Sequence, residues 1–401
     1  MNILFVHSEK VNMNDIIWAL CKLEMNVEVY PKAIKIQEYN EEDMAYLKEY
    51  MEKRTYDIAI TYDFNMNVAE VCRDLQIKYI SWIFDSPDTS LYTDIAKCEY
   101  NYVFVMDKMQ YARMKKQELV HVFYLPLAAN VDRTSGLIVT EEDEMTYNHD
   151  ISFVGSLYQE NGYNEKLHLF KPETKDRFAQ IIQNIALHWG KGYECFDILE
   201  DQEVDRVYEE LRVYIDSELK IDKKYMLELY LLSRKITEID RICVLNALAM
   251  NHEVTLYTKS DTSALEKVNV KGGIDYDDVM PKIFYLSKIN LNITLRSIET
   301  GIPLRVFDIM SVGGFVISNY QEEMEELFVP DKEIVLFKDI PELLYKVDYY
   351  LSHEEERLRI AMNGYKKVRE CYDIENAVSR ILKIVNETSK QLGDRNAEKN
   401  Y

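Results

Sequence analysis

Residues 289–318 combine a cation, an acid and paired glycines in an order that could hold a phosphorylated ligand; they read INLNITLRSIETGIPLRVFDIMSVGGFVIS. The stretch predicts a strand, a loop, a short helix, a turn and a second strand. Pro303 suits the first turn of that helix, and Gly313-Gly314 suits its C-terminal stop. The unpaired N–H groups at the start of a helix, with the dipole behind them, attract an anion, so the backbone of Gly301, Ile302, Pro303 and Leu304 is a candidate phosphate seat. Arg305 falls in the first turn and can add charged donors. Asp308 follows three residues later on the same face, where a carboxylate can accept both hydroxyls of a ribose. The competing reading is a surface ion pair between Arg305 and Asp308, which would contribute little. Arg296, just after the strand, can reach a phosphate or equally a neighbouring acid.

Other candidates stand where strands are expected to end. Gly155-Ser156 follows one apolar run and Tyr257-Thr258 another; Tyr257 can flank a base or pack inward. In the first third of the chain His7, Asp63 and the segment Asp85-Ser86-Pro87-Asp88 hold the same kind of position. Asp85 is the preferred general base, because an apolar strand before it would raise its pKa, with His7 as the second candidate. A turn built by Asp and Pro is the structural alternative. Asp275-Tyr276-Asp277 spells a carboxylate pair of metal-binding form, but an acidic chain produces such triplets by chance, and it is read as a loop with no metal.

The elements that must position these residues alternate between apolar runs and helical patterns. Of the runs at 3–7, 27–31, 58–62, 79–84, 102–106 and 122–125, most are continuous rather than alternating, as in strands covered on both faces. Helical patterns lie between them, at 41–54 and 67–75 among others. A second series opens at 150–156, and strand signals return at 254–257, 289–294, 315–318 and 333–337 after a largely helical stretch of about 178–250 that includes 204–219. The expected fold class is therefore α/β, with two Rossmann-like parallel-sheet domains facing a cleft and a helical insertion in the C-terminal half. The expected boundaries are 1–135 for an acceptor domain, 136–149 for an acidic linker, 150–385 for a donor domain and 386–401 for a flexible tail.

Composition narrows the function. The chain has 401 residues and a net charge of −22, which disfavours nucleic acid and anionic membrane as partners. Its 12 glycines include neither a GxGxxG after the first strand nor a GxxxxGK[ST], so a dinucleotide dehydrogenase and a P-loop NTPase are not supported. The start of the chain has no signal-peptide pattern, and no apolar run is long enough for a membrane span. The six cysteines form no CxxC pair. Together these lead to the expectation of a cytoplasmic protein.

The stretch resembles the donor-binding motif of GT-B glycosyltransferases, and among them the CgeB-like, spore-maturation type. The resemblance rests on Leu291-Asn292-Ile293, Arg305-Val306-Phe307-Asp308-Ile309-Met310 and Gly313-Gly314, then Asn363-Gly364-Tyr365 and Val368, and on Ser152-Phe153-Val154-Gly155-Ser156-Leu157-Tyr158. It covers roughly 150–385. Many GT-B enzymes carry two glutamates eight positions apart; here Asp308 takes the ribose position, and Glu299, nine positions earlier, is the candidate for the donor sugar. The resemblance implies transfer of a hexosyl or N-acetylhexosaminyl group from a nucleotide sugar, UDP-linked by preference, to a glycan, protein or small-molecule acceptor, with no cofactor and no metal. A non-catalytic protein of the spore or cell envelope that kept the fold is one alternative. A nucleotide-sugar epimerase is another.

Overall fold

The computed structural model describes residues 1–8, 13–36, 39–190, 194–212 and 220–398. The chain divides into two compact units, Met1–Asn130 with Glu370–Tyr401, and Val131–Arg369. The expected helix at 204–219 lies partly outside the described residues, as does the end of the expected tail.

The first unit is built on β1 (Asn2–Phe5), β2 (Asn26–Val29), β3 (Ile58–Tyr62), β4 (Lys78–Ile83), β5 (Asn101–Val105) and β6 (Val122–Tyr124). All pair in parallel, in the order β2-β1-β3-β4-β5-β6. The connecting helices include α1 (Met13–Lys22), α2 (Glu41–Glu52), α3 (Met66–Leu75) and α4 (Lys108–Lys116). Asn40, Asn65 and Asp107 cap the last three through their side chains, each accepting from two backbone N–H groups. Strands β3 and β5 are buried along their whole length, which is why the sequence shows them as unbroken apolar runs.

The second unit starts with α5 (Val131–Ser135) and α6 (Glu141–Tyr147). Residues 136–149, expected as a linker, thus include a helix, because Thr140 and Asp143 form a reciprocal capping box and Lys282 reaches Asp143 at 2.9 Å. Next come β7 (Ile151–Val154), α7 (Gly162–Lys166), α8 (Pro172–Ile185), α9 (Asp201–Leu211) and α10 (Lys223–Glu228). A π-turn at Leu229–Ser233 leads from α10 into α11 (Arg234–Ala249). The chain continues through β8 (Val254–Tyr257), β9 (Asn269–Lys271), α12 (Met280–Leu286), β10 (Ile289–Asn292), α13 (Leu304–Ser311), β11 (Val316–Asn319), α14 (Glu322–Leu327), β12 (Val335–Phe337), α15 (Ile340–Ser352) and α16 (Glu354–Cys371). This sheet is also parallel throughout, in the order β12-β11-β10-β7-β8-β9.

The last helix, α17 (Ile374–Glu398), belongs to the first unit rather than to the second or to a tail. It lies along α1, with Lys22 and Glu375 paired at 2.8 Å, and Tyr102 and Ser389 share a hydrogen bond at 3.0 Å. Ile374, Val378, Ile381, Leu382 and Val385 are its buried side, and that apolar face accounts for the return of the chain.

The late Asn363-Gly364 pair of the motif proves to be a packing device. Asn363 donates to the carbonyl of Lys332 at 3.0 Å, and a Cβ on Gly364 would stand 2.6 Å from the carbonyl oxygen of Glu333 and 2.7 Å from Met310 Cε. Gly364→Ala is expected to lower stability by about 1–3 kcal/mol through that overlap, read as a shift of the urea midpoint. An unchanged midpoint would show that α16 can move away at little cost.

Candidate functional site

In the second unit, β7 and β10 are neighbours from which the chain proceeds in opposite directions across the sheet, so the carboxyl ends of these two strands flank a topological switch point. Gly155-Ser156 leaves β7 there, and the loop to α13 leaves β10 beside it. Buried amides fix the strands: Asn290 accepts from Ser152 of β7 and donates to the carbonyls of Phe284 and Phe315. Asn292 donates to Ser318 of β11 at 2.8 Å and to Thr294 at 3.1 Å. The asparagines of the motif therefore satisfy one another's surroundings inside the sheet rather than facing a ligand.

Helix α13 starts at Leu304, with Pro303 as its N-cap and no side-chain cap. Gly313 adopts φ +77° at its end, and a Cβ on Gly314 would lie 2.7 Å from the carbonyl of Phe284. Gly301 and Ile302 are buried, and Pro303 and Leu304 are partly exposed. Arg305 and Asp308 stand on one face, as the spacing predicts, with Nη1 and Oδ2 3.5 Å apart. This is no surface pair: Asp308 is 6% exposed, its Oδ1 accepts from the hydroxyl of Tyr276 at 2.9 Å, and Arg305 lies against Met280 and Phe284.

Tyr276 is the middle residue of the carboxylate triplet. Asp275 turns onto the N–H groups of Asp277 and Asp278, and Asp277 pairs with Arg133 at 3.3 Å, whose guanidinium lies over the Tyr276 ring. The two acids thus point to different partners, and among the described residues no cluster of three or more His, Cys, Asp and Glu could hold a metal ion.

Arg296 meets the second of its two expected partners, a neighbouring acid: Nε donates to Asp240 Oδ2 at 2.7 Å, Nη2 donates to the carbonyl of His188 at 2.7 Å, and Trp189 lies against it. Asp240 is 0% exposed. Its neighbour Arg241, which no motif signalled, reaches the switch point instead. Arg241 donates through Nη1 to the carbonyl of Ser156 at 2.5 Å and through Nε and Nη2 to that of Ile293 at 3.2 and 2.5 Å. Thr237, one turn earlier on the same helix, accepts from the N–H of Arg296 at 2.9 Å. Residues 237, 240 and 241 share one face of α11, so the helical segment without a functional reading supplies the wall that fixes the β10–α13 loop.

The remaining candidates divide. A Cβ on Gly155 would meet Arg241 Nη1 and Phe153 at 3.4 Å, an ordinary contact. The Ser156 hydroxyl accepts from the N–H of Tyr158. Tyr257 packs inward, its hydroxyl 2.8 Å from His149 Nε2, and burial pushes that hydroxyl up to about 12. Thr258 is buried and accepts from the N–H of Ser260. Glu299 is half-buried in the loop. The position eight before Asp308 is Thr300, whose hydroxyl donates to the buried Glu323 at 2.7 Å.

In the first unit His7 follows β1 and Asp85 follows β4, with β3 between these strands, so the two strands are about 10 Å apart. Asp85 is exposed although it follows an apolar strand, and the buried acid of this segment is Asp88. Two acids clasp the loops: Asp63 Oδ1, from a residue with φ +50°, accepts from the N–H groups of Phe84 and Asp85, and Asp88 accepts from those of Phe64 and Ser90. Burial, with the nearby Asp63 carboxylate adding to it, pushes the Asp88 carboxyl up to about 7.

Comparison with known proteins agrees with this architecture. Residues 243–383 match the family model described as glycosyl transferase-like. No curated protein matches the sequence. Among solved structures, sucrose-phosphate synthase from Thermosynechococcus elongatus is 11% identical with a TM-score of 0.56, covering 98% of this chain and 100% of that one. Anabaena Alr3699/HepE, solved with UDP and glucose, is 11% identical with a TM-score of 0.56 over 96% of this chain and 100% of its own. A glycosyltransferase from Rickettsia africae is 12% identical with a TM-score of 0.52 over 96% and 98%. The fold is GT-B.

Two outcomes follow from the geometry. Asp240→Ala leaves the Arg296 charge buried without its acid and is expected to cost about 3–5 kcal/mol in urea unfolding; a loss under about 1 kcal/mol would mean the loop is held by other contacts. For Asp88, the folded chain keeps a proton that the unfolded chain releases near pH 4, so its contribution to stability is full below that pH and declines as pH rises to about 7. Unfolding measured across that window should show this decline in the unaltered protein and not in Asp88→Asn.

Proposed function

We propose that this chain is a glycosyltransferase that takes its sugar from a nucleoside-diphosphate donor, UDP-linked by preference, held by the second unit. The observation that carries the reading is the uncapped start of α13 beside Arg305 and Asp308, at the switch point of a GT-B fold. The match of residues 243–383 to a glycosyl transferase-like model supports it, as does the UDP bound in the Anabaena relative. The spread of motifs from Ser152 to Val368 supports the CgeB-like type.

In this reading the diphosphate lies against the N–H groups that begin α13 and against Arg305, and Asp308 accepts from the ribose hydroxyls, with Tyr276 holding its other oxygen in place. Transfer breaks the bond between the anomeric carbon and the diphosphate oxygen and forms one to an acceptor oxygen. Negative charge grows on the leaving diphosphate, where fixed dipoles and a guanidinium already face it, so no metal is required. The acceptor's proton passes to a base of the first unit, Asp85 or His7, if the reaction inverts configuration. The transferred group is a hexosyl or N-acetylhexosaminyl unit.

The test is thermal shift with a panel of UDP-, GDP- and dTDP-sugars in EDTA, followed together with nucleotide release. One nucleotide sugar is expected to raise the melting temperature and to release its diphosphate slowly. Asp308→Ala should weaken that donor roughly tenfold, the size of one or two lost hydrogen bonds. If no donor stabilises the protein at millimolar concentration, the reading fails. Stabilisation with turnover of donor to an isomer, and no lasting release, would point to an epimerase.

A further inference from the structure

Arg241 stands outside the matched family segment, which begins at residue 243. Arg241 is 8% exposed, and its guanidinium is hydrogen-bonded to the carbonyls of Ser156 and Ile293 and lies near two rings, Tyr158 at 4.7 Å and Phe153 at 5.2 Å. Arg296 has an acid partner in Asp240, and Arg305 has one in Asp308. Among the described residues no carboxylate pairs with Arg241. Burial holds its pKa below the usual arginine value, with the positive charge of Arg305 adding to the effect and Tyr158 and the Asp240 carboxylate, which is bonded to Arg296, opposing it. A buried cation without a counter-ion is costly and persists where an anion completes the site. The carbonyls that it meets belong to the loops that leave the two strand ends flanking the switch point.

We infer that Arg241 is a diphosphate-selecting residue of the donor site: it joins the β7 and β10 ends and faces the ligand's diphosphate opposite Arg305. This rests on the donor-binding reading above and adds a residue with a separable effect. A guanidinium that only held the loops together would affect every ligand of the crevice alike. One that meets the diphosphate affects charged ligands and spares the nucleoside.

The experiment measures dissociation constants of UDP and uridine by calorimetry for the unaltered protein, Arg241→Gln and Arg241→Lys. Arg241→Gln keeps an amide donor for a carbonyl and loses the charge. It is expected to weaken UDP about ten- to hundredfold, the scale of a lost charged hydrogen bond, and uridine by less than about twofold. Arg241→Lys keeps the charge but not the planar fork, and its UDP-to-uridine preference should fall between the two. If UDP and uridine weaken by the same factor, or neither weakens, the inference is overturned. Should Arg241→Gln not fold, Arg241→Lys decides, and a preference equal to that of the unaltered protein overturns it. Failure of the unaltered protein to bind UDP would instead remove the donor reading itself.

Discussion

The buried pair between Arg296 and Asp240 turns residues 293–303 from a free connection into a fixed one. A loop inside a domain must find partners for its backbone polar groups. Here they come from three directions. Thr237 of α11 takes the N–H of Arg296, Asn319 of β11 takes that of Thr294, and Gln321 donates to the carbonyl of Ile298. With both ends held, α13 starts at a set place, and the N–H groups of its first turn face a set direction. Preorganised donors of this kind need no rearrangement when charge arrives.

The residues of the motif then separate by what they touch. Asn290, Asn292, Gly314 and Gly364 are required by packing: two are buried amides with several partners, and two are places where a Cβ would overlap a backbone oxygen. Arg305 and Asp308 are held at the mouth of the helix by Phe284 and Tyr276. The motif therefore joins packing residues to one charged pair, and it is the pair that the proposed donor site uses.

The first unit uses acids in another way. Asp63 and Asp88 spend their oxygens on the N–H groups of each other's loops, and this crossing holds the segment that presents Asp85. Both carboxyls are buried at the edge of one sheet, which costs solvation and makes that segment sensitive to protonation. The chemistry expected of Asp85 thus depends on neighbours whose role is to position it.

Much of the fold was legible in the sequence because fully covered parallel strands must be apolar along their length; β3 and β8 appear with unshifted limits. Strand β9 was missed because Asn269, Val270 and Lys271 form an exposed edge and carry no apolar run. The helix of residues 141–147 was hidden by its acidity, since a capping box looks like a charged linker when its partner Lys282 is far away in sequence. Arg305 and Asp308 could be paired from spacing alone, because three residues along a helix is a local distance. By itself the sequence determined the covered strands, the start and stop of α13 and that pair, all set by near neighbours. Only the tertiary structure decided which arginine meets an acid and which meets the switch point. Arg296 and Arg241 look alike in the chain, and the choice between them lies with Asp240, 56 positions from one and adjacent to the other.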